Sequence, residues 1–243
     1  MEKSAFRGYV STWYKNDVAF SMELIEKFVM NTERQVQDSI DEYELQKKTV
    51  ILEEIPEIEL LDTMQVHDGL NSQDWDIRRV FNEYFSNLQR KSALLTLCNY
   101  FENELNKLSL LYESEKSLEN KFTDFKKDKG IDRSTNYLKS QAKLNVYKDL
   151  EIWSEIKNIQ NIRNLIVHQD GKLLVKDKNG NTIKDQEHIV KYIKQKSELL
   201  QLKCIAEINE EIEINNGFLT YVANTYKQYF KLLHESIEAS ELV

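Results

Sequence analysis

One proline in 243 residues is the feature that most narrows the fold: Pro56 stands alone, and only six glycines accompany it. Proline removes a backbone donor and collides with the preceding helical turn, while glycine makes an ordered helix entropically costly. A chain so poor in both can run in long helices. With 41% hydrophobic and 30% charged residues it has the makings of a folded globular protein rich in amphipathic helices. The expectation is a mainly α fold, large enough to bury a real core as one domain, or as one domain with a helical extension.

Charge and composition then exclude several classes. A formal net charge of −8 argues against a non-specific nucleic-acid binder, whose affinity comes from clustered Lys and Arg, though not against an enzyme with one local basic pocket. No run approaches the ~20 apolar residues of a membrane-spanning helix, and Met1 to Tyr14 carry no signal-peptide core. A cytoplasmic chain is expected, with Cys98 and Cys204 as reduced core residues.

Apolar spacing gives the elements. Val18, Met22, Ile25, Val29, Thr32, Val36, Ser39 and Tyr43 alternate at spacings of four and three, predicting a long helix over about 15–46 with a heptad seam. That seam is expected to pack within the chain, with pairing between chains as the alternative. Residues 51–70, with Pro56 and the His67-Asp68-Gly69 turn signal, read as a connector. Asn71, Ser72 and Asp74 are helix-capping candidates for a central core helix from Ile77 to Leu108, kinked near Arg90-Lys91-Ser92. Gly130 reads as a helix stop, Ser134 as the cap of a short helix, Asp149 as the start of another and Gly171 as its end. Beyond it, Leu173 to Val175, the Asn179-Gly180 turn and Thr182-Ile183 predict a small β-hairpin. A helix over about 186–202, a short strand at Ile212 and Ile214 and a final helix through Phe218 to Leu233 complete the chain. The expected domains are 1–70, a long helix and connector, and 71–243, a helical domain.

The helix after Asp149 holds an anomaly. At about 100° per residue, Ile152, Ile156, Ile159, Ile166 and Val167 share one face, and Arg163 falls near its middle. A guanidinium in an apolar stripe needs a carboxylate or a wet cleft, because burying an unpaired charge costs several kcal/mol or more. Asn164 and His168 lie one turn apart. Together these residues supply an anion clamp, an orienting amide and a group that moves protons near neutrality.

Arg163-Asn164 followed by His168 resembles the R-x4-H signature of HEPN-domain proteins, with the polar residue directly after the arginine. Tyr100-Phe101-Glu102-Asn103-Glu104-Leu105 is similar to the acidic, aromatic second helix of bacterial HEPN-like proteins. Lys129-Gly130-Ile131-Asp132-Arg133, with Tyr137-Leu138 and Trp153, is similar to the segment leading into their motif helix. The resemblance runs from about Trp75 to Leu233. It implies a HEPN-like helical bundle that dimerises and, in active members, cleaves RNA without a metal or other cofactor, often in toxin–antitoxin or phage-defence systems. On this resemblance Arg163 binds the scissile phosphate, His168 transfers a proton, Asn164 orients them and Glu102 partners Arg163. An antitoxin or activating defence partner is also implied, as is the alternative of a non-catalytic scaffold or binding module. The hairpin-bearing tail after Gly171 departs from the minimal domain.

Other candidates carry less. His67, His188 and His234 lack the paired spacing of a zinc site. Neither cysteine has an activating pattern beside it. Lys121, Lys126, Lys127, Lys129 and Arg133 form a modest basic cluster, read first as a solvated helix end and otherwise as an RNA-guiding patch.

Overall fold

The computed structural model describes residues 9–55, 60–126, 128–174, 186–206 and 209–241. Helices dominate them. A 3₁₀ turn (Val10–Thr12) and a π turn (Tyr14–Val18) lead into α1 (Ala19–Gln46). The predicted seam is real: Val18, Met22, Val29, Thr32, Val36 and Tyr43 are buried by the chain's own residues, while Ser39 is exposed.

The connector expected at 51–70 is instead a sheet. β1 (Lys48–Ile55) and β2 (Leu60–His67) pair antiparallel, and β3 (Leu70–Asn71) returns along β2. The β-branched run Thr49-Val50-Ile51 favours extended backbone. The His67-Asp68-Gly69 signal is a tight hairpin turn, with positive φ at Asp68 (46°) and Gly69 (77°).

After α2 (Ile77–Arg79) a π turn (Val80–Tyr84) precedes α3 (Phe85–Glu115). The irregularity therefore lies at 80–84, and α3 runs unbroken through Arg90-Lys91-Ser92. The cap of α2 is Asp76, whose Oδ1 accepts from Arg79 N at 3.1 Å. Asn71 closes a local turn by accepting from Gln73 N and Asp74 N, and Ser72 accepts from Gln65 N.

Contacts divide the chain into two compact units, Val29–Ala93 and the remainder, Met1–Phe28 with Leu94–Val243. The divisions fall inside α1 and α3 rather than near residue 70. Within Val29–Ala93, Tyr43 stacks on Phe81 at 5.1 Å and His67 meets both rings edge-on. Arg90 grips both carboxylate oxygens of Glu33.

The larger unit holds α4 (Gly130–Ser140), α5 (Leu150–Gln169), β4 (Lys172–Leu174), α6 (Glu187–Gln195), β5 (Leu200–Ala206), β6 (Asn209–Ile214) and α7 (Phe218–Glu241). Gly130, with φ +56°, opens α4 instead of stopping a helix. Ser134 lies inside α4, where its Oγ donates to Asn106 Oδ1 at 2.6 Å. The helix expected over 186–202 ends at Gln195, and β5 begins at Leu200 because that stretch pairs along β6. β4 likewise pairs with β6, giving the order β4-β6-β5. The Asn179-Gly180 turn and the return strand at Thr182-Ile183 lie outside the described residues. Leu173, Leu200, Ile212 and Ile214 turn inward, and Lys203 pairs with Glu213 at 3.0 Å. Cys98 is buried as expected, Cys204 is exposed on β5, and neither forms a disulfide.

The core of this unit is mainly aliphatic, with an aromatic cluster set into it. Phe101 stacks on Tyr226 at 4.1 Å, Trp13 meets Phe230 edge-on at 5.7 Å, and Trp153 lies 5.6 Å from Tyr229. Such pairs add about 0.5–1.5 kcal/mol each beyond their buried area. Among the described residues no helix is long and apolar enough to cross a membrane.

Candidate functional site

α5 carries the motif, and each of its ends is fixed by local chemistry. Asp149 caps the N-terminus, its Oδ1 accepting from Glu151 N at 2.9 Å and Ile152 N at 3.0 Å. At the other end Asp170 (φ 55°) and Gly171 (φ 77°) turn left-handed, and Gly171 N–H returns to Leu165 O at 3.1 Å. Gly171 O then accepts from Ile212 N, tying the exit of α5 to β6.

The buried face of α5 comprises Ile156, Ile159, Ile162, Leu165 and Ile166. Val167, expected on that face, is 45% exposed, and Ile152 is half-buried. Packing against α7, α6 and β4 draws Ile162 and Leu165 inward and rotates the stripe away from Val167. Arg163 therefore sits half-buried at the flank of the apolar face, not at its middle.

Arg163 Nη1 donates to Asn164 Oδ1 at 3.1 Å, and the guanidinium makes no ion pair among the described residues. Its charge is felt on α3. The buried Cys98 thiol is pushed up to about 11, first by burial, against the hydrogen bond with Tyr226 and the positive charge of Arg163, with Glu102 acting the other way. Arg163 and Glu102 thus both lie within electrostatic reach of Cys98. They are not joined: the Glu102 carboxylate lies beside Gly130, where an added Cβ would stand 3.6 Å from its Oε2. Sequence spacing could bring the two helices together but could not set the direction of that side chain.

His168 is exposed in the last turn of α5 and makes no hydrogen bond or ion pair among the described residues. About 40° of rotation separates it from Asn164 and about 140° separates it from Arg163. The arc between Arg163 and His168 also carries Asn164, the exposed Val167 and the half-buried Trp153, Lys157 and Gln160. Lys157 pairs with Asp132 of α4 at 2.7 Å.

No family model, no curated protein and no solved structure matches the chain.

The residues of the basic cluster differ in their surroundings. Lys121, Lys126 and Lys129 are exposed, and Lys127 lies outside the described residues. Arg133 folds over the Phe122 ring at 4.5 Å, with its Nε buried and without a hydrogen-bond partner, so a cation–π contact takes the place of an outward phosphate clamp.

One polar group escaped sequence reasoning. Glu155 Oε2 on α5 accepts from Tyr192 Oη of α6 at 3.0 Å and from Tyr221 Oη of α7, with Lys196 Nζ 3.4 Å away. Burial first, then the Glu155 charge, pushes Tyr192 well above the usual phenol range; burial likewise raises Tyr221. Both phenols therefore remain donors and pin the motif helix. Partners 37 and 66 residues away leave no local pattern to read.

Proposed function

We propose that the chain is a HEPN-like, metal-independent RNA endonuclease that works as a homodimer, in phage defence or as a toxin. One observation carries the proposal: the Arg163 guanidinium is half-buried on a well-anchored helix and contacts an amide, not a carboxylate, among the described residues. A carboxylate partner would neutralise the charge; an amide orients it and leaves the remaining N–H groups available for phosphate oxygens.

The chemistry needs three roles. His168, exposed one turn beyond Asn164, takes or returns a proton as the RNA 2′-oxygen attacks phosphorus and the P–O5′ bond breaks. The products are a 2′,3′-cyclic phosphate and a 5′-hydroxyl. Arg163 offsets the charge that builds on the non-bridging oxygens, and Asn164 Oδ1 fixes the guanidinium. A second copy supplies the complementary half of the cleft, since Arg163 and His168 point about 140° apart around one helix. Dimerisation through this arc would also cover Val167.

The same angle favours one alternative, a non-catalytic HEPN-like scaffold or binding module. The two are separated by incubating purified protein with RNA in EDTA. Cleavage that His168→Ala lowers by about 10²–10⁴ supports the nuclease. Intact RNA, together with a protein partner recovered on the α5 face, supports the scaffold.

A further inference from the structure

α3 carries a second polar constellation that the motif chemistry does not use. Glu104 is 2% exposed. Its Oε1 accepts from Lys107 Nζ at 2.5 Å, while its Oε2 is buried without any hydrogen-bond partner. An ionised carboxylate accepts at both oxygens, so half of its capacity is unmet. The Lys107 side chain that reaches it is 59% exposed, an outside group leaning in rather than a core partner.

Glu104 and Lys107 line a cavity of about 610 Å³, together with Asn99, Tyr100 and Asn103 of α3 and Ile25 of α1. Asn99 and Asn103 follow one another at a single turn, are exposed, and make no hydrogen bond among the described residues. The Tyr100 hydroxyl is held by Ser21 Oγ at 2.7 Å, and Ser21 itself donates to Asp17 O. The wall therefore offers one buried negative charge, two unengaged amides and an aliphatic surface. A phosphate or carboxylate would meet the Glu104 charge. A divalent metal would find one carboxylate where it wants several hard anionic oxygens. A cationic nitrogen on a slim alkyl stem fits, and Lys107 is such a group already docked.

The geometry points to a binding site for a linear aliphatic polyamine, one terminal ammonium replacing Lys107 at Glu104 and the chain running back past Asn103 to Asn99. Asn99 and Glu104 are five residues apart on α3, about 7.5 Å of rise and about 140° of rotation, so the ligand curves around the helix along the cavity both residues line, the reach of a triamine and not of a short diamine. Lys107 then acts as an internal competitor for the site, which fixes the sign of its removal.

Spermidine titrated calorimetrically into the full-length protein at constant ionic strength tests this, with magnesium chloride as the charge control. Saturable binding at one site is expected, with affinity falling at least tenfold in Glu104→Gln and severalfold in Asn103→Ala, and rising in Lys107→Ala. Asn103→Ala and Lys107→Ala are exposed changes that keep the test decisive if Glu104→Gln does not fold. Binding that is absent, that magnesium matches, that both exposed variants leave unchanged, or that Lys107→Ala weakens, overturns the proposal.

Discussion

At the scale of single residues, the availability of Arg163 comes from its immediate neighbour. Asn164 accepts from Nη1 without cancelling the charge. Asn164→Ala is expected to lower kcat for RNA cleavage by roughly tenfold or more while leaving KM less changed, because it loosens the clamp rather than removing it. Asn164→Asp should be worse, because it converts the clamp into an ion pair. The cysteines give a cleaner chemical contrast. Cys98 is 3% exposed and its thiol is raised to about 11 chiefly by burial, whereas Cys204 is exposed. Thiol alkylation of the native protein near pH 8 should label Cys204 and spare Cys98, with both labelled in denaturant. The sign of the linkage also follows. The folded state holds Cys98 above its usual value near 9 and Tyr100 up to about 12, again mainly through burial. Their contribution is complete below about pH 9 and is lost as pH climbs towards 11 and 12. Denaturant midpoints should therefore fall across that alkaline range, and a midpoint flat from pH 8 to 11 would contradict it.

Among the elements, what was legible was whatever a local pattern encodes. The α1 seam, the Asp149 cap, the Gly171 stop and the Asp68-Gly69 turn all follow from spacing or from a residue's own conformational preference. What escaped depended on partners distant in sequence. Residues 48–55 become a strand only because 60–67 pairs with them, and Leu200–Ala206 only because β6 lies alongside. The stretch at Val80–Tyr84 takes a π turn that apolar spacing cannot distinguish from an α turn. The candidate site divides in the same way. Arg163, Asn164 and His168 stood out as misfits on an apolar helix, whereas the Glu155 cluster and the direction of Glu102 were invisible. Two changes test how firmly the motif helix is held. Asp149→Ala removes the side-chain acceptor of two backbone N–H groups and should cost about 1 kcal/mol. Gly171→Ala places a side chain at φ 77° and should cost at least about 1 kcal/mol, measured by chemical denaturation.

For the whole molecule, a mainly α fold was readable from the scarcity of proline and glycine together with amphipathic spacing. The division into compact units was not. The turn at 67–69, which punctuates the sequence, closes a hairpin inside Val29–Ala93, and the divisions between units fall within uninterrupted helices. Breaks in composition mark turns, whereas contacts define units. The larger unit contains the whole motif and the helices that anchor it, and the proposed dimer uses its α5 face. Val167→Asp puts a charge on that face without touching the core and should shift sedimentation from dimer to monomer, with a matching loss of RNA cleavage.

The most direct measurement is the state of cellular RNA after expression in a bacterial host, with fragment ends identified chemically. Wild-type protein should yield fragments ending in 2′,3′-cyclic phosphate, and folded Arg163→Ala and His168→Ala proteins should leave the RNA intact. RNA left whole by the wild type, or cut equally by all three, would contradict the account.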